Sequence, residues 1–311
     1  MRVTANTFPN SLLNQLTSLS QRQNKLQNQA ATGQTVQLPE DDPVTMRRVL
    51  DMQAEGKTVG QLQRNVARNQ ELATASFNSI KALKKISDRA REISISADAL
   101  KSPEELKVYA KELTELIKTA VQATNTTNRV DYIFAGTASD QPPFALTTDA
   151  DNNVATVTYQ GNITLAESEI ASGITLSAQS VGENNTGTGP RGLISDNRAG
   201  ADFFNHLISL QNNFIAGNVA AIESTDRANL ASDEDNFLYH IGTNGAIQSR
   251  LEATNSIAEK RADTLETLIS SDVDADLAQT LVRLNQTQTA YQAALQSAGK
   301  ILSSSLLDYL R

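Results

Sequence analysis

The sequence contains no cysteine and no tryptophan, only two histidines, seven prolines and 5% aromatic residues. Without cysteine there is no disulfide framework, thiolate metal site or cysteine nucleophile. Two histidines, His206 and His240, leave little for a zinc centre or a Ser-His-Asp triad. Neither has a serine or acid beside it in a recognisable catalytic motif, and no Gly-rich phosphate loop is present. No apolar run exceeds four residues, which excludes a transmembrane helix. The start, Met1-Arg2-Val3-Thr4-Ala5-Asn6, lacks the apolar stretch of a secretory signal peptide. The expectation is a cytoplasmic chain, or one exported by a route that needs no cleaved signal. The net charge of −8 argues against a nucleic-acid partner. Nothing in this composition asks for a cofactor, a metal or a membrane.

What is abundant is uncharged polarity: 25 Asn and 22 Gln among 311 residues. A chain of this length holds roughly two domains at about 150 residues each. Poor in catalytic side chains and rich in hydrogen-bonding ones, it favours assembly over chemistry. Charge is unevenly spread. Residues 1–130 carry 18 basic and 13 acidic groups, 131–200 carry 2 and 8, and 201–311 carry 7 and 14. A positive front and a negative back suit complementary packing, within one molecule or between copies. Helix faces that differ by chance account for it equally well.

Residues 10–31 repeat apolar groups every seven positions. Leu12, Leu19 and Leu26 form one register; Leu16, Gln23 and Ala30 fall four positions later. That is the a/d seam of a helix meeting a partner helix. Gly33 suits the helix C-cap, where the backbone turns left-handed. Twelve of the first 39 residues are Asn or Gln and no acid precedes Glu40. With so few apolar anchors, each contributing about 1.5–3 kcal/mol when buried, this helix needs a partner to stay folded.

The far end mirrors it. Leu277, Leu284, Tyr291, Ala298 and Ser305 make one seven-residue register; Leu281, Gln288, Leu295, Leu302 and Tyr309 make the other. A continuous helix from Asp276 to Arg311 would be about 54 Å long at 1.5 Å per residue. Gln23 and Gln288 each occupy a seam position where leucine would pack better; a polar group there costs stability and can fix register.

Between the ends the chain reads mainly as helix. Asp42 suits an N-cap with Pro43 at the first helical position. Clustered acids before a proline are helix starts far more often than the metal site Glu40-Asp41-Asp42 would make. From Val44 to about Leu100 the helical pattern is long, with Gly56 and Gly60 weakening its start. Ser102-Pro103-Glu104-Glu105 opens a shorter antiparallel helix that runs to about Asn128. Gln141-Pro142-Pro143-Phe144 ends helix, and Asp149 to Asn153 is turn chemistry. Val154 to Tyr159 alternate as a strand, and Ile163-Thr164-Leu165 and Ile174-Thr175-Leu176 suit two more, each after a glycine. Residues 184–192 read as a loop. Helix returns from about Ala199 to Gly217, with Phe203, Phe204, Leu207 and Leu210 as its apolar stripe.

A last helical stretch runs from about Ser224 to Ser270. Inside it Asn244-Gly245 carries a strong turn signal, yet Phe237, Leu238, Ile241, Ile247 and Leu251 keep helical spacing through it. Helix with a weak point is the reading. Asp272 to Asp276 looks like a calcium loop but lacks its glycine at position six and glutamate at position twelve. A linker capping the final helix fits better.

Four stretches carry a family resemblance. They are Ala31-Thr32-Gly33-Gln34-Thr35-Val36 with Pro39 to Pro43, and Asn125 to Thr137 with Pro143-Phe144 close behind. Asp274 to Ala278 with the Leu and Gln repeat that follows, and the ending Ser305 to Leu310, complete them. Together they resemble the flagellin superfamily, on the branch of its hook–filament junction proteins. Gln37-Leu38 before the proline and Ala135 depart from the usual pattern.

The resemblance implies a mainly α fold with a small β insert, built as a long antiparallel helical bundle. Residues 1–40 and 275–311 would pair as an inner core that orders on assembly. Residues 41–130 with 199–274 would form the surrounding bundle, and 131–198 an outward β-rich domain. Its assembly interface would use Leu12, Leu16, Leu19, Leu26, Leu277, Leu281, Leu284, Tyr291, Leu295, Leu302, Leu306, Leu307 and Tyr309. Implied partners are copies of itself, another hook-associated protein on the hook side, flagellin on the filament side, and an export chaperone on the C-terminal helix. The implied location is the flagellum outside the cell, reached through the flagellar type III export channel. A bulk filament subunit and a coiled-coil scaffold are the competing readings.

Overall fold

The computed structural model describes residues 7–97 and 101–309, with side chains over 11–97 and 101–300. Seven α-helices dominate the described residues: α1 Thr7–Thr32, α2 Pro43–Ile95, α3 Pro103–Thr124, α4 Phe203–Ala216, α5 Val219–Ala221, α6 Arg227–Val273 and α7 Leu277–Tyr309. The chain divides into two compact units, one up to Val59 and from Lys260 onward, the other Gly60–Glu259. The mainly α reading with a small β insert is what the structure has.

The smaller unit holds α1, α7, the start of α2 and the end of α6. Gly33 ends α1 at φ +73°, the left-handed conformation that a Cβ disfavours. Asp42 caps α2 as its spacing predicts, its Oδ1 accepting from Val44 N at 3.0 Å and Thr45 N at 3.1 Å. Asp276 does the same for α7, accepting from Gln279 N at 3.0 Å. The two connections meet backbone to backbone: Thr35 N donates to Val273 O at 2.6 Å and Ala275 N to Gly33 O at 2.7 Å. Gln34 and Asp274 form an antiparallel bridge between them.

In the larger unit α2 continues to Ile95. Ser102 then caps α3 through a reciprocal capping box with Glu105. The insert holds four small sheets among the described residues. Strands β1 Thr127–Asn128 and β2 Asp131–Tyr132 pair as a hairpin, as do β3 Phe144–Thr148 with β4 Val154–Tyr159 and β5 Ser168–Ala171 with β6 Ile174–Leu176. The fourth sheet runs β7 Val181–Glu183, β8 Gly192–Asp196, β9 Ala201–Asp202, with β7 and β8 parallel.

Three local expectations need correction. Ile163-Thr164-Leu165 is not a strand. There the Asn162 side chain accepts from Thr137 N and Thr164 N, both at 3.1 Å, and holds an irregular turn instead of offering a ladder. Gly192 belongs to β8 and not to the preceding loop. The helix expected from Ala199 begins at Phe203, because β9 takes the residues before it.

The larger of two cores that join helices and insert in this unit is built from all three of α2, α3 and α4. Ile80, Leu83, Leu113 and Ile117 from α2 and α3 pack with Phe134, Phe144 and Leu193 from the insert and with Phe203, Leu207 and Phe214 of α4. Phe203 meets Phe237 of α6 edge-on at 4.9 Å, and Phe144 meets Phe204 at 5.3 Å. Such pairs add about 0.5–1.5 kcal/mol beyond area burial. Between α5 and α6, Ile222–Asp226 form a π-helical turn. It buries Asp226, which accepts from Ser209 Oγ at 2.9 Å and Asn213 Nδ2 at 2.7 Å.

Candidate assembly interface

Helices α1 and α7 pack along each other within the smaller unit. Their facing connections make the pair antiparallel. On α1 the inward positions are Leu12, Leu16, Leu19, Gln23, Leu26 and Ala30, partly or fully buried, while every residue between Leu12 and Leu19 other than Leu16 is exposed. Leu26 is the best covered. The spacing 4-3-4-3-4 is the seam expected from the sequence.

On α7 the seam differs from either expected register taken whole. Leu284, Tyr291 and Ala298 are at least partly buried, and they alternate with Thr280, Thr287 and Ala294. Thr280 and Thr287 were not anticipated; each is 7% exposed. Thr287 Oγ1 donates to Arg283 O at 2.7 Å, so its hydroxyl is satisfied within its own helix. The seven-residue recurrence of small residues at 280, 287 and 294 was the available signal, overshadowed by the leucines one position on.

Those leucines point elsewhere. Leu277, Leu281 and Leu295 are 48%, 51% and 46% exposed, and Val282 is 55% exposed. Gln288, in line with them, is partly buried. Thus α7 turns Thr280, Thr287 and Ala294 inward together with Leu284 and Tyr291, and leaves Leu277, Leu281, Val282 and Leu295 about half exposed. Burying one such leucine contributes about 1.5–3 kcal/mol. The side chains of Leu302, Leu306, Leu307 and Tyr309 lie outside the described residues, although the α7 backbone continues to Tyr309.

The histidines act in the larger unit. His206 of α4 sits 2.8 Å from the Asp233 carboxylate of α6, and Asp233 also accepts from Asp202 N at 2.9 Å. Burial opposes the charged imidazole, but the Asp233 carboxylate outweighs it and raises the His206 pKa. His240 is buried with Nε2 3.1 Å from Gly192 O. Burial pushes its imidazole down to about 4. Beside it Asn236 Nδ2 donates to Gly192 O at 3.0 Å and Leu193 O at 2.8 Å. These contacts tie β8 to α6 and give both histidines architectural work. Among the described residues no group of three or more His, Asp and Glu is placed to hold a metal. No helix there is long and apolar enough to cross a membrane.

Long helices with a small β insert that shares their core make a fold that solved flagellar hook-associated proteins also have. The chain is similar to FlgL of Bacillus cereus, with 18% identity and a TM-score of 0.56 over 71% of this chain and 99% of that one. It is similar also to a protein of Vibrio parahaemolyticus assigned as flagellar hook-associated, with 14% identity, a TM-score of 0.63, and 75% and 100% of the two chains covered. The flagellar junction protein FlgL of Legionella pneumophila aligns with 14% identity and a TM-score of 0.51 over 74% of this chain and all of its own. No protein-family model matches the sequence, and no curated protein matches it by sequence.

Proposed function

We propose that this chain is a structural, non-catalytic subunit of the bacterial flagellum, assembling with copies of itself at the junction between hook and filament. The observation that carries the reading is the outward leucine face of α7, on a fold that spans the whole length of the hook-associated structures. A helix that spends Thr280 and Thr287 on its partner and leaves Leu277, Leu281 and Leu295 half exposed has further apolar surface to bury. Neighbouring subunits supply that burial, on to Leu302, Leu306, Leu307 and Tyr309, while Leu12, Leu16, Leu19, Leu26, Leu284 and Tyr291 serve the assembly by holding α1 and α7 together. The three-layer division (terminal helices, bundle, outward insert) belongs to the same reading.

The partners follow. Another hook-associated protein lies on the hook side and flagellin on the filament side, and an export chaperone masks the C-terminal helix before assembly. The subunit reaches the outside of the cell through the flagellar export channel. Immunogold labelling of isolated hook–filament structures tests this, with label expected as a narrow band at the junction. Label along the whole filament, or purified subunits that polymerise alone into long filaments, would instead make the chain the bulk filament subunit.

A further inference from the structure

The larger unit contains a cleft of about 220 Å³ between the insert and α6. Its walls include Arg191 of the insert, Tyr239, His240 and Thr243 of α6, and Ser177 and Ser180 on the approach to β7. No carboxylate lines it. The volume lies below the roughly 300–1,000 Å³ of sites for drug-sized molecules, so an occupant has only a few heavy atoms.

The charge in this cleft is unbalanced. Arg191 and Arg198 are the only basic residues between 131 and 200, a stretch with eight acids. Arg198 is neutralised by Asp196, with Nε 3.0 Å from Oδ1 and Nη2 2.6 Å from Oδ2. Arg191 is partly buried and has no carboxylate partner among the described residues. Its Nε donates to Asn236 Oδ1 at 2.7 Å and its guanidinium lies 4.3 Å from the centre of the Tyr239 ring. These contacts hold the fork in place without compensating its charge. A partly desolvated cation with a fixed planar fork is a ready partner for a carboxylate or phosphate group. His240 adds no second charge. Burial foremost, with Arg191 beside it, keeps the imidazole neutral above about pH 4.

We propose that this cleft binds a small oxyanion through the free edge of the Arg191 guanidinium, with hydroxyl groups of the wall as further donors. The site is separate from the α1–α7 interface and stands whether or not the chain assembles at a hook–filament junction.

The test is a ¹H–¹⁵N NMR titration of the full chain with sodium acetate and with inorganic phosphate, matched for ionic strength with sodium chloride. The arginine Nε–H signal missing from Arg191→Gln identifies the reporter. A saturable shift of that signal, together with backbone shifts confined to residues 177–180, 190–192 and 239–244, is expected for one or both anions and not for chloride. Tighter acetate binding marks a planar carboxylate site and tighter phosphate binding a tetrahedral one. Arg191→Gln should weaken binding at least tenfold. If that variant does not fold, the wild-type shift map decides alone. Linear shifts without saturation, shifts scattered over the surface, or undiminished affinity in Arg191→Gln would each overturn the proposal.

Discussion

His206 Nδ1 lies 2.8 Å from Asp233 Oδ2, joining α4 to α6 through a carboxylate that is fully buried. Removing the imidazole leaves that carboxylate without its charged partner, which for buried pairs costs about 3–5 kcal/mol. His206→Ala is expected to lower stability by about 3 kcal/mol in urea denaturation. The loss should depend on pH. A histidine whose folded pKa lies above the unfolded value of 6.5 contributes fully below pH 6.5, and that contribution fades as pH rises through the folded pKa. The gap between wild type and variant should therefore narrow on the alkaline side. A gap that widens there would refute the pairing.

His240 works with the opposite sign. Its folded pKa of about 4 lies below the unfolded 6.5, so the unfolded chain takes up a proton first as pH falls. Stability is unaffected above about pH 7 and declines between pH 6.5 and 4, by about 3 kcal/mol in all. His240→Asn should remove that decline from the stability–pH curve, whatever it costs at neutral pH.

Two glycines should respond in opposite directions to alanine. A Cβ on Gly192 would meet Ser195 O at 2.1 Å and Asn184 N at 2.5 Å, both backbone atoms. Gly192→Ala must displace β8 and should destabilise by about 2–3 kcal/mol. A Cβ on Gly245 meets nothing within 4 Å inside the continuous helix α6. Gly245→Ala should stabilise by about 1 kcal/mol. Calorimetric melting of both variants checks the pair.

The two faces of α7 are separable by mutation. Leu281→Gln with Leu295→Gln alters exposed positions and should leave monomer melting nearly unchanged, within about 0.5 kcal/mol per site. The same double variant should lose self-association in sedimentation at high concentration. Leu26→Ala empties the α1–α7 seam at its best-covered position and should loosen α1 locally by about 2–3 kcal/mol. Hydrogen exchange of the α1 amides reads that loosening. An assembly-competent Leu281/Leu295 double variant would exclude this face from the interface.

Helices and their caps were legible because they depend on local chemistry. Asp42-Pro43, Ser102-Pro103 and Gly33 act within a few residues of themselves. The helical reading through Asn244-Gly245 also held, for a reason the sequence did not display. Asn244 uses its side-chain amide to donate to Ala73 O of α2 at 3.1 Å, so the helix positions the asparagine for a tertiary bond that a turn would forfeit. Ile163-Thr164-Leu165 misled because β-branched residues alone do not make a strand; no neighbour lies in register to pair with them. The parallel β7–β8 pairing was invisible for a similar reason, being specified by Asn236, His240 and α6 behind it. On α1 the buried face follows the leucine spacing. On α7 it follows neither expected register whole, since partner geometry and not hydrophobicity decides which residues turn inward.

Thr35 Oγ1 and N both reach Val273 O, bridging 238 positions of sequence. During synthesis α1 emerges early, whereas the helix it pairs with is made only after the whole larger unit. Closing so long a loop is entropically expensive at first contact but grows only slowly with length, and the intervening unit has its own core to fold around. Of the described helices, α1 is therefore made before the others and is among the last to find its place. For the interval between, its leucines are on offer to whatever the growing chain meets.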